Sequence, residues 1–206
     1  MIAIIDYGAG NIRSVEKAFA HIGCEAVITA SPEVIAAADA AVLPGVGSFG
    51  SAVDNLSETK MGEAAKNFIA SGKPFLGICL GLQALFDSSE ESPGYKGLGV
   101  FSGEVLRLPD DCGLKIPHIG WNSLELNRDC PLFANLPDDP YVYFVHSYYL
   151  RAKDESIVAA TTEYGAHIHA AVWKDNCFAM QFHPEKSGKT GLAILRNFAD
   201  LIGRDK

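Results

Sequence analysis

The sequence has no apolar run approaching the roughly 18 residues that a membrane span requires. Its start also lacks a basic region followed by an apolar stretch and a small-residue cleavage site, so the chain is expected to stay in the cytoplasm, away from membranes. There is no Cys-x-x-Cys pair. The five cysteines, Cys24, Cys79, Cys112, Cys130 and Cys177, are odd in number and widely scattered, which argues against a disulfide framework or structural zinc. Most of them are expected to be small buried hydrophobes. Positive charge is scarce: 17 Lys and Arg against 25 Asp and Glu give a net charge of -8. With no basic stripe interleaved with aromatics, a phosphate backbone would be repelled, and nucleic acid is not expected as a partner. Low-complexity tracts, internal repeats and linkers are also missing. What remains is ordinary globular usage, 48% hydrophobic and 20% charged, over 206 residues. That length closes one good core and is short for two, so residues 1–206 are read as a single domain that must carry the whole site.

The apolar run Met1 to Asp6 leads into Gly8-Ala9-Gly10, and Asn11 is placed to cap a helix running to about Ala20. Cys24 to Thr29 reads as a second strand and Pro32 to Ala38 as a short helix. A third strand, Ala40 to Leu43, is stopped by Pro44-Gly45-Val46-Gly47. Helical spacing follows from about Gly62 to Ser71, then a buried strand from Pro74 to Ile78 runs straight into Cys79, and Leu80 to Phe86 is helical again. Such alternation predicts a doubly wound α/β fold with a mostly parallel central sheet flanked by helices. The second half changes character. Gly103 to Leu108, Trp121 to Leu126, Tyr141 to His146, Ile157 to Thr162, His167 to Trp173 and Cys177 to Phe182 are short strand-like runs, some of which should add in antiparallel fashion. A closing helix, Gly188 to Ile202, spaces Leu192, Leu195, Phe198 and Leu201 along one face.

Three short segments carry chemistry. Gly77-Ile78-Cys79-Leu80-Gly81 has the form of a nucleophile elbow, whose small flanking residues permit a tight strand-to-helix turn that holds Cys79 out at the sheet's carboxyl edge. A free thiol is only a few per cent thiolate at neutral pH, and both a following helix N-terminus and a nearby imidazolium favour the anion. A buried cysteine beside packing glycines would give the same short pattern. Gln181-Phe182-His183-Pro184-Glu185 then supplies a histidine at the end of an apolar strand with a carboxylate two positions on, and the proline between them restricts the backbone. That arrangement suits a thiol, an imidazole base and a carboxylate that fixes its tautomer: Cys79, His183 and Glu185. Alone, His183 would be a structural histidine and Glu185 a solvated loop charge. The third segment, Pro44-Gly45-Val46-Gly47, can aim backbone N–H groups at a tetrahedral oxyanion, although alone it would be an ordinary turn.

Together, Gly77-Ile78-Cys79-Leu80-Gly81-Leu82-Gln83, Pro44-Gly45-Val46-Gly47 and His183-Pro184-Glu185 resemble the class I, triad-type glutamine amidotransferases in order and spacing, over nearly the whole chain. Within that family, Asp6-Tyr7-Gly8-Ala9-Gly10-Asn11, Pro117-His118-Ile119-Gly120-Trp121-Asn122, His146-Ser147-Tyr148 and His183-Pro184-Glu185-Lys186-Ser187 look like the glutaminase subunits of imidazole glycerol phosphate synthases. Related subunits serving anthranilate or aminodeoxychorismate synthesis tend to have proline where Val46 stands and histidine where Leu82 stands. The resemblance implies that Cys79 attacks the side-chain amide of glutamine, that His183 protonates the leaving ammonia, and that a glutamyl thioester is then hydrolysed. Glu185 would orient His183. It further implies Val46, after a peptide reorientation, and Leu80 as oxyanion positions, and Gly47, Gln83, Glu91, Ser147 and Tyr148 as substrate-binding residues, with Glu90 beside Glu91 as the competing carboxylate. The ammonia would pass to a (β/α)8-barrel cyclase that makes imidazole glycerol phosphate in histidine biosynthesis. Asn11, Trp121, Tyr143 and Lys186 would face that partner. No cofactor and no metal are called for.

Other chemistries fit the residues less well. Gly8-Ala9-Gly10 opens a helix after a strand, as a dinucleotide-binding turn does, but the position for the third glycine is Arg13. His167 and His169 fall on one face of a strand and might be joined by His118 as metal ligands, yet no third ligand has a usual spacing. A cysteine peptidase or deglycase could share the elbow, but the His-Pro-Glu ending and the Gly-Leu-Gln continuation fit glutamine chemistry better. Inert scaffolding would leave three triad pieces in register by accident.

Overall fold

In the computed structural model, which describes residues 1–8, 10–111, 113–127 and 129–203, the first strand sends alternate residues into two different cores. Ala9 of the glycine turn and Cys112 lie outside the described residues. In chain order the elements are β1 (Ile2–Ile5), α1 (Ile12–His21), β2 (Ala26–Thr29), α2 (Pro32–Ala37), β3 (Ala40–Gly45), α3 (Phe49–Glu58), α4 (Met61–Ala70), β4 (Phe75–Cys79) and α5 (Leu80–Ala84). The second half adds β5 (Ser88–Ser89), β6 (Gly103–Arg107), β7 (His118–Ser123), β8 (Glu125–Leu126), β9 (Tyr141–His146), β10 (Tyr148–Ala152), β11 (Val158–Glu163), β12 (His167–Lys174), β13 (Cys177–Met180) and α6 (Gly188–Ala199). Ile2 and Ile4 pack with Phe19 of α1 and Leu195 and Phe198 of α6 on one face. Ala3 and Ile5 pack with Phe49, Leu56 and Phe68 of α3 and α4 on the other. Burial on both faces is why β1, β3 and β4 are continuously apolar rather than alternating.

The main sheet has the order β2-β1-β3-β4-β13-β12-β11-β8. Strands β2 to β13 in that order are parallel, and β12, β11 and β8 add antiparallel. Two small sheets, β10-β6-β5 and β7-β9, flank it. The expected mostly parallel, helix-covered sheet with antiparallel additions is therefore what forms. The consequence for function lies in one adjacency. β4, which delivers Cys79, is the direct neighbour of β13, with Ile78 opposite Met180, so the chain beyond β13 emerges beside the elbow.

Several elements differ from expectation. β3 does not stop before Pro44 but continues to Gly45, placing Pro44 opposite Ile78 and Gly45 opposite Cys79. Its pairing with β1 ends at Val42, so Pro44 sits where one side of the strand has no neighbour to receive an N–H. α3 was not anticipated, although Ser48 caps it by accepting from the Ser51 N–H and Phe49, Ala52 and Leu56 form its buried face. β10 and the two-residue β5 were also missed, and the run Trp121 to Leu126 splits into β7 and β8. α5 is shorter than expected, ending at Ala84. Asn11 precedes α1 but makes no side-chain cap bond.

Candidate active site

The elbow is built by close approach. Cys79 ends β4 with φ 54° and ψ -110°, a left-handed conformation that a residue with a Cβ adopts only when its surroundings impose it. The glycines around it are required by space. A Cβ on Gly81 would stand 1.8 Å from the Leu43 carbonyl oxygen, and one on Gly77 would stand 3.1 Å from both the Ala179 Cβ and the Gly81 oxygen. Substituting Gly81 would push the turn away from β3, and substituting Gly77 would crowd it against β13, so the pattern Gly-x-Cys-x-Gly is a record of strand-to-helix distance.

Three residues past β13, His183 donates Nδ1–H to Glu185 Oε1 at 2.8 Å, and both side chains are almost wholly buried. Pro184 opens the single 3-10 turn, Pro184–Lys186, that sets this spacing. With Nδ1 committed to the carboxylate, Nε2 is the atom left to work. It is buried and meets no acceptor at hydrogen-bonding geometry. Burial lowers the pKa of His183, while Cys79 and Glu185 raise it, and the balance lies at about 9. The sulfur therefore stands close enough to the imidazole to raise its pKa.

Cys79 and His183 open on a cavity of about 410 Å³. Its wall includes Val46, Gly47, Leu80, Gln83, Glu91, Ser147, Tyr148 and Lys186, which are all the predicted oxyanion and substrate positions and one predicted interface residue. Glu185 lies behind His183, outside the lining. Asn11, Trp121 and Tyr143 do not line the cavity. Trp121 and Tyr143 meet edge to face with ring centres 6.2 Å apart, and the Lys186 ammonium sits 5.9 Å over the Tyr143 ring, so three of the four interface positions cluster beside the mouth. Asn11 stands apart, exposed at the start of α1.

The competing carboxylates separate cleanly. Glu91 lines the cavity and spends Oε2 on the Phe49 N–H at 2.7 Å, whereas Glu90 is exposed and accepts from the Arg107 N–H at 2.7 Å. Gln83 uses Nε2 for the Tyr148 carbonyl at 3.1 Å and for Gln181 Oε1 at 3.0 Å, which leaves its own Oε1 as the group it can offer a ligand. Sequence reasoning missed Pro117, Val145 and His146 in the lining. It also missed Gln181, whose Nε2 lies 3.7 Å from Cys79 Sγ. His146 and Gln181 both stand within segments singled out above, but nothing in those segments gave the direction of either side chain. His146 donates from Nδ1 to the Tyr148 carbonyl at 2.9 Å and approaches His118 Nδ1 through Nε2 at 3.1 Å. Burial holds both imidazoles neutral, at about 4.

Beneath the Val46 side, the Tyr7 hydroxyl is buried without a hydrogen-bond partner among the described residues and lies where a Cβ on Gly45 would come within 2.5 Å of it. Its pKa is raised by burial and by charge at Cys79. Away from the cavity, the weighed metal site does not assemble. His167 is exposed and pairs with Glu163, His169 accepts the Ala152 N–H through Nδ1, and His118 is stacked between Tyr164 and Phe144. Among the described residues no group of three or more His, Cys, Asp or Glu is arranged to hold a metal ion. Among the described residues Cys24, Cys79 and Cys177 form no disulfide, and Cys79, Cys130 and Cys177 are buried. No helix among the described residues is long and apolar enough to cross a membrane.

Comparison with known proteins agrees in kind. Residues 3–201 match the family model described as glutamine amidotransferase class-I. A protein of Caldanaerobacter subterraneus subsp. tengcongensis named imidazole glycerol phosphate synthase subunit HisH is 52% identical, covering 98% of each chain. The protein of the same name from Syntrophotalea carbinolica is 50% identical over 98% of this chain and 100% of its own length. That of Methanothermobacter thermautotrophicus is 52% identical over 98% and 99%. Among solved structures, one described as a glutamine amidotransferase superposes with a TM-score of 0.76 at 20% identity, covering 98% of this chain and 100% of that one, and at that identity the likeness is one of fold.

Proposed function

This chain belongs to the class-I glutamine amidotransferase family, and on that premise we propose that it is the glutaminase subunit of an imidazole glycerol phosphate synthase, hydrolysing L-glutamine to glutamate and ammonia for histidine biosynthesis. The observation that carries the reading is a strand adjacency. β4 presents a cysteine at φ 54° while its parallel neighbour β13 delivers a carboxylate-bound histidine to the same cavity.

In the first half-reaction the Cys79 sulfur attacks the glutamine side-chain carbonyl carbon, and the backbone N–H groups of Val46 and Leu80 receive the developing oxyanion. His183, held with Nδ1–H on Glu185, takes the Cys79 thiol proton onto Nε2 and passes it to the amide nitrogen as the C–N bond breaks, releasing ammonia and leaving a glutamyl thioester. A water then gives its proton to His183, adds to the thioester carbon and expels the sulfur, giving glutamate. Free glutamine carries an ammonium and a carboxylate. Glu91 and the Gln83 Oε1 suit the first, and the Ser147 and Tyr148 hydroxyls with the Gly47 backbone suit the second.

The ammonia is handed to a (β/α)8-barrel cyclase, the partner that the subunit reading requires, and the pair works in the cytoplasm without a cofactor. The docking face is the one around β7 and β9. Ile119, Trp121 and Tyr141 are large apolar side chains left 59%, 53% and 47% exposed there, and Lys186 stands beside them at the cavity mouth. Aromatic anchors with a neighbouring cation are the side chains that dominate binding energy at such surfaces. Asn11, exposed at the start of α1, would meet the partner apart from this cluster. Glutamine hydrolysis measured for the chain alone, with the cyclase, and with cyclase plus its nucleotide ligand tests both reaction and partner. A large rise in the last mixture is expected, and equal rates in all three would contradict the partner assignment.

A further inference from the structure

The buried amides behind the nucleophile admit a single orientation. The Tyr148 backbone carbonyl can only accept, so the Gln83 atom 3.1 Å from it is Nε2. The same Nε2 lies 3.0 Å from the Gln181 carboxamide, which must therefore present Oε1. Gln181 Nε2 is then left facing the other way, 3.7 Å from Cys79 Sγ. Gln181 is 0% exposed, so its amide cannot turn over by trading partners with water, and turning Gln83 would set its Oε1 against the Tyr148 carbonyl. The Tyr148 carbonyl also receives His146 Nδ1–H, which ties the start of the chain of bonds to a second buried side chain.

We propose that Gln181 is a further catalytic residue, a fixed N–H donor to the Cys79 sulfur whose aim is set by the Tyr148 carbonyl through Gln83. The inference rests on the reading of Cys79 as the nucleophile and adds a residue to it. A sulfur anion in a buried turn loses hydration, and a preoriented amide N–H replaces part of it at no cost in reorganisation. Because Oε1 is held by Gln83, the carboxamide cannot rotate to put its oxygen against the sulfur, an arrangement that would oppose the anion. The donor is present before attack and again when the thioester is cleaved and the sulfur leaves.

The test is the pH dependence of Cys79 alkylation by iodoacetamide in the full chain, resolved to the site by peptide mass spectrometry. It compares the wild type, Gln181→Leu and Gln83→Leu, with thermal unfolding as the check on folding. Tyr7 after β1, His183, Glu185 and Lys186 after β13, and Glu91, His146 and Tyr148 across the cavity are the titratable groups around the sulfur. They are unchanged in both variants, so a difference between profiles reports the amides. Gln181→Leu is expected to slow labelling at neutral pH about tenfold and to move the profile up by about one pH unit. Gln83→Leu, which keeps the donor and removes its anchor, should move it in the same direction by less. A Gln181→Leu profile that superimposes on the wild type overturns the proposal, and a wild-type profile for Gln83→Leu alone overturns the aiming through Gln83. Should Gln181→Leu fail to fold, Gln181→Glu keeps the shape and puts an acceptor in place of the donor, and must slow labelling further. Hydrolysis retained by Cys79→Ala would instead sink the amidase reading itself.

Discussion

The two sides of the cavity are held to different standards. On one, Cys79 and His183 come from neighbouring parallel strands, the elbow leaves no room for a Cβ at Gly81, and the His183–Glu185 pair is sealed from solvent. On the other, β3 loses its β1 neighbour after Val42, Val46 is 41% exposed, Gly47 takes φ +107°, and the hydroxyl below, Tyr7, lacks a partner. In the proposed roles, the nucleophile and its base are built into the core, whereas the oxyanion side ends in a segment with few constraints, on a cavity lined by Lys186, whose ammonium reaches over Tyr143 beside Trp121. On the proposed reading, catalytic power is assembled in advance on one wall and left adjustable on the wall next to the proposed partner face. That division suits an enzyme whose ammonia is wasted unless a second subunit is ready for it.

The sharpest way to break the comparison is Cys79→Ala, which should reduce glutamine hydrolysis by roughly a millionfold, to background, while partner binding and thermal unfolding change little. Next comes Glu185→Gln, which removes the acceptor that fixes the His183 tautomer and should lower kcat about a thousandfold. Val46→Pro deletes a single backbone N–H on the adjustable wall. Partner-stimulated hydrolysis should fall about a hundredfold, with Cys79 alkylation unaltered, because the two walls are separate. Loss of alkylation in that variant would show that they are not.

The smallest effect is on stability against pH. The folded-state pKa of His183, about 9, lies above its ordinary 6.5, so its contribution to stability is fully present below pH 6.5 and fades as pH rises through about 9. His118 and His146, held at about 4, act in the opposite sense. The unfolded chain binds their protons first, and stability falls as pH drops from 6.5 towards 4. Chemical denaturation across this range should give a maximum near neutrality, with the alkaline limb flattened in Glu185→Gln.

How much of this was legible in the sequence follows the same division. The core wall was readable because its constraints are local: apolar runs ending at Cys79 and His183, glycines where Cβ atoms collide, and proline between His183 and Glu185. The end of β3 was misread because Pro44 normally stops a strand, and only the three-dimensional end of β1 pairing makes it harmless there. α3 was passed over because its helical spacing starts beside the glycine turn that drew attention as a loop. Gln181 carries no sign of its role in the sequence, since its meaning depends on Tyr148 and Gln83, which reach it only after folding. The exposure of Trp121 came from resemblance alone, as an isolated tryptophan in an apolar run is ordinarily a core residue.

The account stands most directly on the link between one sulfur and turnover. Limited alkylation of the chain mixed with the proposed cyclase partner, with the labelled fraction of Cys79 read by mass spectrometry beside residual glutamine hydrolysis, measures that link. Activity should fall in proportion to the fraction of Cys79 labelled and reach background when labelling is complete. Hydrolysis that persists on fully labelled Cys79 would contradict it.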